Sequence, residues 1–281
     1  NAYTAAGIRS DHECSNIAEA KEKLSRGQWI MIREGTAAKN LQELMPLFEA
    51  PYYNRILLVT DDKHPLDLLN DGHIDAIIRK AVHLGADPIR AIKAGSLNAA
   101  TYFGLRDTGA IAPGYDADIV VLNDLTDLHV QEVYKQGTLI SERGQITTAV
   151  NSNTDSIPER VIHSFHVEKI TPAQLVIPKQ GEHIRVIELH AGELLTSERT
   201  ANWNTDASAN GWADGINPDD DIIKIVAIER HKNTGHLGKG FLGGYGLKKG
   251  AVATSIGHDS HNLVVAGTND TDIAIAANAV I

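Results

Sequence analysis

Short apolar runs alternate with helical patterns over the first sixty residues of the chain. Uninterrupted apolar runs at 29–32 and 55–60 are typical of strands that are buried on both faces, as in a parallel sheet or barrel. Helical patterns predict helices over 17–26 and 40–48. With a first strand that ends near His12, the order is βαβαβ, which predicts parallel strands joined by right-handed crossovers.

Polar side chains follow each of the three predicted strands. They are His12 and Glu13, Arg33 and Glu34, and Asp61 and Asp62. The carboxyl ends of parallel strands lie at one edge of a sheet, where α/β folds carry their chemistry. One polar strand end is ordinary, but three in succession predict a site. The alternatives are a surface turn with an incidental histidine at His12, and an N-cap or first-turn acid at Asp62.

Further along the chain the same patterns continue and then change to an antiparallel type. Helices are predicted over 74–82, 87–94 and 96–103, followed by a strand at 119–122. A hairpin is predicted over 130–140, because a Gln-Gly pair lies between two alternating segments.

The last part of the chain has a different pattern of polar and apolar residues. Residues 151–180 are polar and short on pattern, which indicates a linker or an excursion, and the half-buried strands predicted at 184–189 and 222–228 indicate a separate α+β domain over 181–281. Between two apolar stretches of that domain lies the block His258-Asp259-Ser260-His261-Asn262. It is either a turn between strands or a set of substrate or lid contacts.

Composition narrows the class of protein. A chain of 281 residues with 42% apolar content is long enough for one large or two ordinary domains, and a net charge of −10 argues against a nucleic-acid surface. Cys14 is the single cysteine, which excludes an internal disulfide and fits a reducing cytoplasm. The chain begins with Asn1 and its last helical pattern stops without a cap, so we expect it to be an internal piece of a longer polypeptide.

Several motifs together make a resemblance specific. The longest has the form Gly109-x-Ile111-x-x-Gly114-x-x-Ala117-Asp118-Ile119-Val120-Val121, and the others are Met31-Ile32-Arg33-Glu34-Gly35-Thr36, Thr60-Asp61-Asp62, Asp71-Gly72-His73-Ile74-Asp75-Ala76 and the 258–262 block. The sequence resembles the bacterial adenine deaminase family of the amidohydrolase superfamily. The resemblance implies an α/β fold: the second half of a (β/α)₈ TIM-type barrel at 1–108, with strands six to eight. It also implies β-sandwich return strands at 109–150 and the α+β domain at 181–281.

The resemblance also implies a chemistry, hydrolytic deamination of adenine to hypoxanthine and ammonia in purine salvage. The family uses a divalent metal, which we expect to be a binuclear Fe(II) or Mn(II) site with Zn as an alternative, and no organic cofactor. Judged from the residues alone, ligand type does not choose between these metals. The family's strand-six histidine and strand-eight aspartate are metal ligands, and His12 and Asp61 match them. Asp61 is then also the acid–base group, with Glu13 as a second catalytic candidate.

The resemblance leaves other polar residues as candidates for substrate contacts. They are Arg33, Glu34, His73, His258, Asp259, His261 and Asn262. Glu13, Arg33, Glu34 and His73 are candidates for substrate contacts or for support of the metal ligands, and ion pairing within the barrel rim is the alternative.

The sequence departs from the family pattern in one respect. The family's His-x-His pair, its bridging acidic ligand and its strand-five histidine have no counterpart here, so we expect a partial site and an inactive chain by itself. A companion chain would carry the missing N-terminal segment, in a cytoplasmic homo-oligomer without nucleic-acid or membrane partners. A different amidohydrolase acting on a cyclic amide or ureide, and a non-catalytic subunit, remain as alternatives.

Overall fold

The computed structural model describes residues 2–147, 156–193 and 195–281, apart from the side chain of Arg160. It divides into two compact units. The first consists of residues 1–153 with 192–194, and the second of residues 154–191 with 195–281. Within the described parts of the chain, no helix is both long enough and apolar enough to cross a membrane.

The first unit begins with a three-stranded parallel sheet. Its strands are β1 (Ser10–Asp11), β2 (Trp29–Arg33) and β3 (Ile56–Val59), in the order β1-β2-β3. Ile30 is paired with Ile56 across β2 and β3, and Ser10 with Trp29 across β1 and β2. Both pairings are parallel, which confirms the predicted βαβαβ order.

Short helices cover this sheet. They are α1 (Ala2–Ala5), α2 (Ile17–Ser25), α3 (Leu41–Leu44), α4 (Pro65–Asn70), α5 (Ile74–His83), α6 (Pro88–Gly95) and α7 (Leu97–Phe103), with 3₁₀ turns at Met45–Phe48 and Tyr53–Arg55. The side chain of Asn16 caps α2 by accepting a hydrogen bond from the Glu19 N–H. Buried side chains of the strands, including Ile30, Ile32 and Ile56, form one core with helix residues such as Leu41.

The helix predicted over 40–48 is only partly α-helical, and that prediction was wrong in its second half. The α-helix ends at Leu44, and residues Met45–Phe48 continue as a 3₁₀ turn. Pro46 stands at the start of this turn. Because proline has no N–H group and its ring collides with the preceding turn of an α-helix, the chain tightens there.

A four-stranded antiparallel sheet completes the first unit. Its strands are β4 (Ile119–Leu122), β5 (Val130–Lys135), β6 (Thr138–Glu142) and β7 (Gln145–Ile146), in that order. Gln136 and Gly137 join β5 to β6 with φ of 48° and 77°. Two successive left-handed residues are the hallmark of a type I′ turn, so the predicted hairpin is confirmed. The assignment of these strands to a β-sandwich, and of β1–β3 to strands six to eight of a barrel, stays a prediction.

The second unit is built on a six-stranded sheet. Its elements are α8 (Glu159–Ile162), β8 (His183–Glu188), β9 (Ser197–Asn202), β10 (Ile223–Ile228), β11 (Leu237–Gly243), β12 (Ala251–Thr254), β13 (Leu263–Gly267) and α9 (Asp270–Val280), with 3₁₀ turns at Pro172–Leu175, Ser208–Asn210 and Pro218–Asp220. The strand order is β12-β13-β10-β11-β8-β9, and only β11 and β8 pair in parallel.

One core of the second unit lies between this sheet and α9. Ile273 and Ala277 of α9 are buried with Val226 of β10 and Val265 of β13. Leu175 and Ile170, which precede the first strand of the sheet, belong to the same core. The segment predicted to be a linker therefore contributes buried side chains from its second half, while residues 151–155 lie outside the described part of the chain.

Candidate active site

The polar ends of the three parallel strands meet at one edge of the sheet. His12 follows β1, Arg33 is the last residue of β2, and Asp61 comes two positions after β3. His12 Nε2 lies 3.9 Å from Asp61 Oδ1, and Arg33 Nη1 lies 2.7 Å from Asp61 Oδ2. Glu13 Oε1 lies 3.8 Å from His12 Nε2. The structure thus brings together four of the residues that the sequence singled out.

Arg33 is the centre of charge in this group. Its side chain is 4% exposed and faces three carboxylates: Asp61, Glu13 with its Oε1 at 3.7 Å from Nη1, and Asp62 with its Oδ1 at 3.6 Å from Nε. A buried guanidinium is costly unless acidic groups surround it. Since three carboxylates face one cation, the group keeps an excess of negative charge, which favours a further cation nearby.

The backbone of Asp61 explains the direction of its carboxylate. Asp61 has a φ of 48°, in the left-handed region that aspartate tolerates better than most residues. The side chain of Asp61 is 28% exposed and that of His12 is 42% exposed. Both groups are therefore fixed at the rim of the sheet and still open to a small molecule.

Three residues whose side-chain contacts the sequence did not indicate hold the strand ends in place. Asn40 donates to the Cys14 carbonyl at 2.8 Å and accepts from the Arg33 N–H at 2.7 Å, so it joins the ends of β1 and β2. Asp11 accepts from the Glu13 N–H at 2.7 Å and from Lys23 Nζ at 2.8 Å. Asp62 is the third, and it accepts a hydrogen bond from the Ala37 N–H in the loop after β2.

Asp11 and Cys14 have shifted pKa values for opposite reasons. Burial by itself would raise the pKa of Asp11, but the hydrogen bonds from Lys23 and from the Glu13 backbone outweigh it and lower the pKa. Burial raises the pKa of the Cys14 thiol to about 12, and the negative charge of Asp11 adds to the effect. Asp11 is therefore held as an ionised support behind His12, while Cys14 is held as an inert thiol.

The remaining predicted residues of the first unit have separate partners. Glu34 is buried and pairs with Lys80 while it accepts from the Leu41 N–H at 3.1 Å. His73 Nε2 forms a hydrogen bond of 3.2 Å with Thr60 Oγ1, the residue directly before Asp61. The structure therefore holds His73 beside the group and turns Glu34 towards helix residues.

The 258–262 block lies in the second unit, between β12 and β13. His258 Nδ1 lies 3.2 Å from Asp259 Oδ1, and both side chains are largely exposed. Arg230 donates to the His261 carbonyl at 2.6 Å, and the Asn262 Oδ1 atom is buried without a hydrogen-bond partner. The block is a well-ordered turn, and its role in substrate contact stays a prediction.

The donor set at the strand ends fits part of a metal site. An imidazole nitrogen and a carboxylate oxygen, the His12 and Asp61 atoms 3.9 Å apart, are donors that Zn, Fe and Mn accept. Among the residues that the structure describes, no group of three or more His, Cys, Asp or Glu side chains could hold a metal ion. The described residues can thus supply two donors, and a complete site needs more.

Comparison with known proteins agrees with the motifs. Residues 3–140 match the model of the amidohydrolase family, and residues 193–281 match that of the adenine deaminase C-terminal domain. The chain is 45% identical over 276 residues to a protein of Dehalococcoides mccartyi strain BAV1 named adenine deaminase, covering 98% of this chain and 47% of that protein. An adenine deaminase of Kosmotoga olearia is 45% identical over 284 residues, which is 100% of this chain and 48% of the relative.

The chain spans about half the length of the curated relatives that it matches. Among solved structures, a beta-aspartyl dipeptidase from Fervidobacterium islandicum AW-1 is 18% identical with a TM-score of 0.40, covering 48% of this chain and 38% of that one. This structural likeness is too distant to inform on the site.

Proposed function

Because the chain belongs to the adenine deaminase group of the amidohydrolase family, we propose that the protein containing it hydrolyses adenine to hypoxanthine and ammonia. The observation that carries the proposal is the 45% identity to curated adenine deaminases over nearly the whole chain. The clustering of His12, Asp61 and Arg33 at the strand ends supports it, because these side chains come from three separate elements.

A divalent metal would be held in part by His12 Nε2 and Asp61 Oδ1, and it would supply an acidified water as nucleophile near neutral pH. We propose Fe(II) or Mn(II) in a binuclear site, with Zn as the alternative. The further donors would come from a companion segment, because the described residues offer no third one.

Asp61 is the proposed acid–base group. Its Oδ1 faces His12 and the open rim, so it can take a proton from the attacking water and return it to the departing amino group. The water oxygen bonds to the carbon that bears the amino group of adenine, the carbon–nitrogen bond breaks, and ammonia leaves. Arg33 holds the other oxygen, Oδ2, at 2.7 Å and so fixes the orientation of the carboxylate.

Glu13 and His73 are the side chains that we propose to lie next to the adenine ring. Glu13 is half exposed, lies 3.8 Å from His12 Nε2, and can exchange a proton with a ring nitrogen. His73 lies beside Asp61 through its hydrogen bond to Thr60 and can contact the purine edge. Arg33 and Glu34 are also proposed to contact the substrate, although both are buried, Arg33 paired with Asp61 and Glu34 with Lys80.

The second unit has its own proposed contacts, which are His258, Asp259, His261 and Asn262. Both His258 and Asp259 have largely exposed side chains. If this block contacts adenine, His258→Ala and His261→Ala lower kcat/KM for adenine at unchanged metal content. Unchanged kcat/KM in both variants would remove the block from the substrate site.

Adenine turnover is the direct test. The protein containing this chain, with its companion segment and with Mn²⁺ or Fe²⁺ added, is incubated with adenine while hypoxanthine and ammonia are measured. We expect equal amounts of both products and a loss of at least about 1,000-fold in kcat for Asp61→Asn, because the amide cannot accept the proton. The exposed Glu43 offers a matched control, and Glu43→Gln should behave as the wild type.

The same assay separates the alternatives. Hydrolysis of a cyclic ureide such as hydantoin, without any turnover of adenine, would contradict the proposal and favour another amidohydrolase. Failure of the complete, metal-loaded protein on both substrates would favour a non-catalytic role. We further propose purine salvage in the cytoplasm and assembly into a homo-oligomer, which fractionation and light scattering test.

A further inference from the structure

Hydrogen bonds that involve side chains of both loops connect the loop after β2 to the loop after β3. The Asp62 Oδ2 atom accepts a hydrogen bond of 2.8 Å from the Ala37 N–H, and Thr36 Oγ1 accepts one of 2.9 Å from the His64 N–H. The Glu34 N–H also donates to the Val59 carbonyl at 3.0 Å. We call this pair of linked loops, residues 34–37 and 60–64, the clasp.

Gly35 makes room for the clasp. A Cβ atom added to Gly35 would lie 1.6 Å from Asp62 Oδ1, 2.7 Å from Asp62 Cγ and 3.0 Å from the Thr60 carbonyl oxygen. The carboxylate of Asp62 therefore occupies the space that any other side chain at position 35 would need. This is a steric requirement, because Gly35 does not adopt a left-handed φ.

Asp62 is also drawn towards Arg33. The Asp62 Oδ1 and Arg33 Nε atoms are both buried without a hydrogen-bond partner and lie 3.6 Å apart. In a low-dielectric setting this opposite charge stabilises the position of Asp62 more than it would in water. The carboxylate is thus seated between Gly35, the Ala37 N–H and the guanidinium.

Asp61 lies directly before this seated residue and has the left-handed φ described above. The residues before and after Asp61 are both held by hydrogen bonds: Thr60 to His73, and Asp62 to the Ala37 N–H of the clasp. A non-glycine residue keeps this unfavourable backbone conformation only when contacts of the surrounding residues hold it there. The clasp provides this constraint, and with it the position from which the Asp61 carboxylate faces His12.

We infer that Asp62, Gly35 and Arg33 are positioning residues for Asp61, and that Asp62 does not itself contact substrate. The inference rests on the proposed function, since it assigns these residues to the same site. From the sequence, Asp62 was one of two carboxylates at the end of a predicted strand, with a helix-capping acid as the alternative. The structure assigns it a role through contacts that run across two loops.

A double-mutant cycle tests the inference in the complete, metal-loaded protein. Gly35→Ala and Asp62→Ala should each lower kcat for adenine by about 10- to 100-fold with KM within about threefold, because a displacement of about 1 Å can cost that much. The double variant should be no worse than Asp62→Ala, because the added Cβ enters the space that the carboxylate has left. Matched controls are Asp107→Ala, which is exposed, and Gly181→Ala, whose Cβ would meet nothing within 4 Å.

Two further readouts keep the outcomes distinct. If the two losses multiply in the double variant, or if the single variants lower only the urea midpoint and leave kcat unchanged, the inference is overturned. If wild-type protein does not turn over adenine, the proposed function fails, and the clasp is then judged by Mn²⁺ affinity measured with electron paramagnetic resonance. We expect the same non-additive weakening of Mn²⁺ binding, and wild-type affinity in both single variants would contradict the inference.

Discussion

At the scale of single residues, buried charges decide how this chain must be arranged. Arg33 in the first unit and Lys224 in the second are both almost fully buried, and each faces acidic groups. Such groups are costly when one partner is removed, and much less costly when the whole pair is replaced. The pair in the second unit is far simpler than the group around Arg33 and therefore gives the cleaner experiment.

The Lys224–Asp270 pair should show this asymmetry. Lys224 is 1% exposed, and it donates to Asp270 at the start of α9 and to the Leu175 carbonyl at 3.0 Å. Asp270→Ala leaves the ammonium group buried without its carboxylate, so we expect a loss of about 3 kcal/mol in the free energy of unfolding. Replacing both partners, Lys224→Met together with Asp270→Ala, should cost about 1 kcal/mol or less, since no buried charge is left and an apolar side chain fills the space. Urea denaturation measures both.

The exposed Asp206 provides a control for that series, and Asp206→Ala should stay within about 0.5 kcal/mol of the wild type. A larger loss for the double variant than for Asp270→Ala would show that the lysine stabilises the fold in some way other than this pair.

Cys14 should be unreactive in the folded protein. Its side chain is fully buried and its pKa is raised to about 12, so thiolate is scarce at pH 8. We expect no reaction with a disulfide reagent such as DTNB at pH 8 over minutes, and complete reaction of one thiol after unfolding in urea. Rapid reaction in buffer alone would mean that the region around β1 opens readily.

At the scale of elements, much of the fold could be predicted from the sequence. The parallel order of β1, β2 and β3 follows from alternating apolar runs and helices, and β4 has the predicted bounds. The pattern failed where a local rule competed with it, as at Pro46. The reading of Asp62 as a helix cap anticipated a helix after β3, but α4 begins at Pro65 with His64 as its N-cap. In the site, residue types at strand ends indicated His12, Arg33 and Asp61, because parallel strands bring their ends together.

The side-chain contacts of Asp62, Asn40 and Asp11 could not be predicted from residue types at strand ends. Their contacts cross between loops that are distant in the sequence, and a left-handed φ such as that of Asp61 leaves no sign in a hydrophobic pattern. A glycine following Arg33-Glu34 was the available signal for the clasp, but a glycine is consistent with several turn types.

The turn between β10 and β11 is an element whose stability should depend on pH. The Glu229 carboxylate accepts hydrogen bonds from the backbone of Thr234, His231 and Lys232 and from the Thr234 hydroxyl. These bonds, led by that from the Thr234 backbone, lower the pKa of Glu229 from 4.5 to about 2. Since the folded pKa is depressed, the stabilisation is complete above about pH 4.5 and is lost as the pH falls towards 2.

Thermal unfolding of Glu229→Gln beside the wild type checks this dependence. The difference in Tm between the two proteins should be present at pH 6 and should narrow steadily between pH 4.5 and 2. The exposed Glu168 supplies a control, and Glu168→Gln should follow the wild type at every pH. A Tm difference that does not change with pH would contradict the assigned cause.

At the scale of the whole molecule, the described residues offer two proposed metal donors, His12 and Asp61, in a chain that spans about half the length of the curated relatives it matches. We expect chelation to abolish adenine turnover in the complete protein, and Mn²⁺ or Fe²⁺ to restore it. The 281-residue chain alone should bind Mn²⁺ at least about 100-fold more weakly, since missing ligands cost more than the 10- to 100-fold of lost outer-shell contacts. Isothermal titration compares the two, and equal affinities would mean that this chain holds a complete site.

The single parallel pairing in the second sheet has a consequence for the order of folding. β10 and β11, and likewise β12 and β13, are joined by loops of only eight residues and can pair while little of the chain is ordered. β8 reaches β11 only after a long stretch of intervening chain has been closed into a loop, as the pairing of Val186 with Phe241 shows. Closing such a loop costs entropy before any contact repays it. The two hairpins would then form the nucleus, and β8 with β9 would dock onto it late.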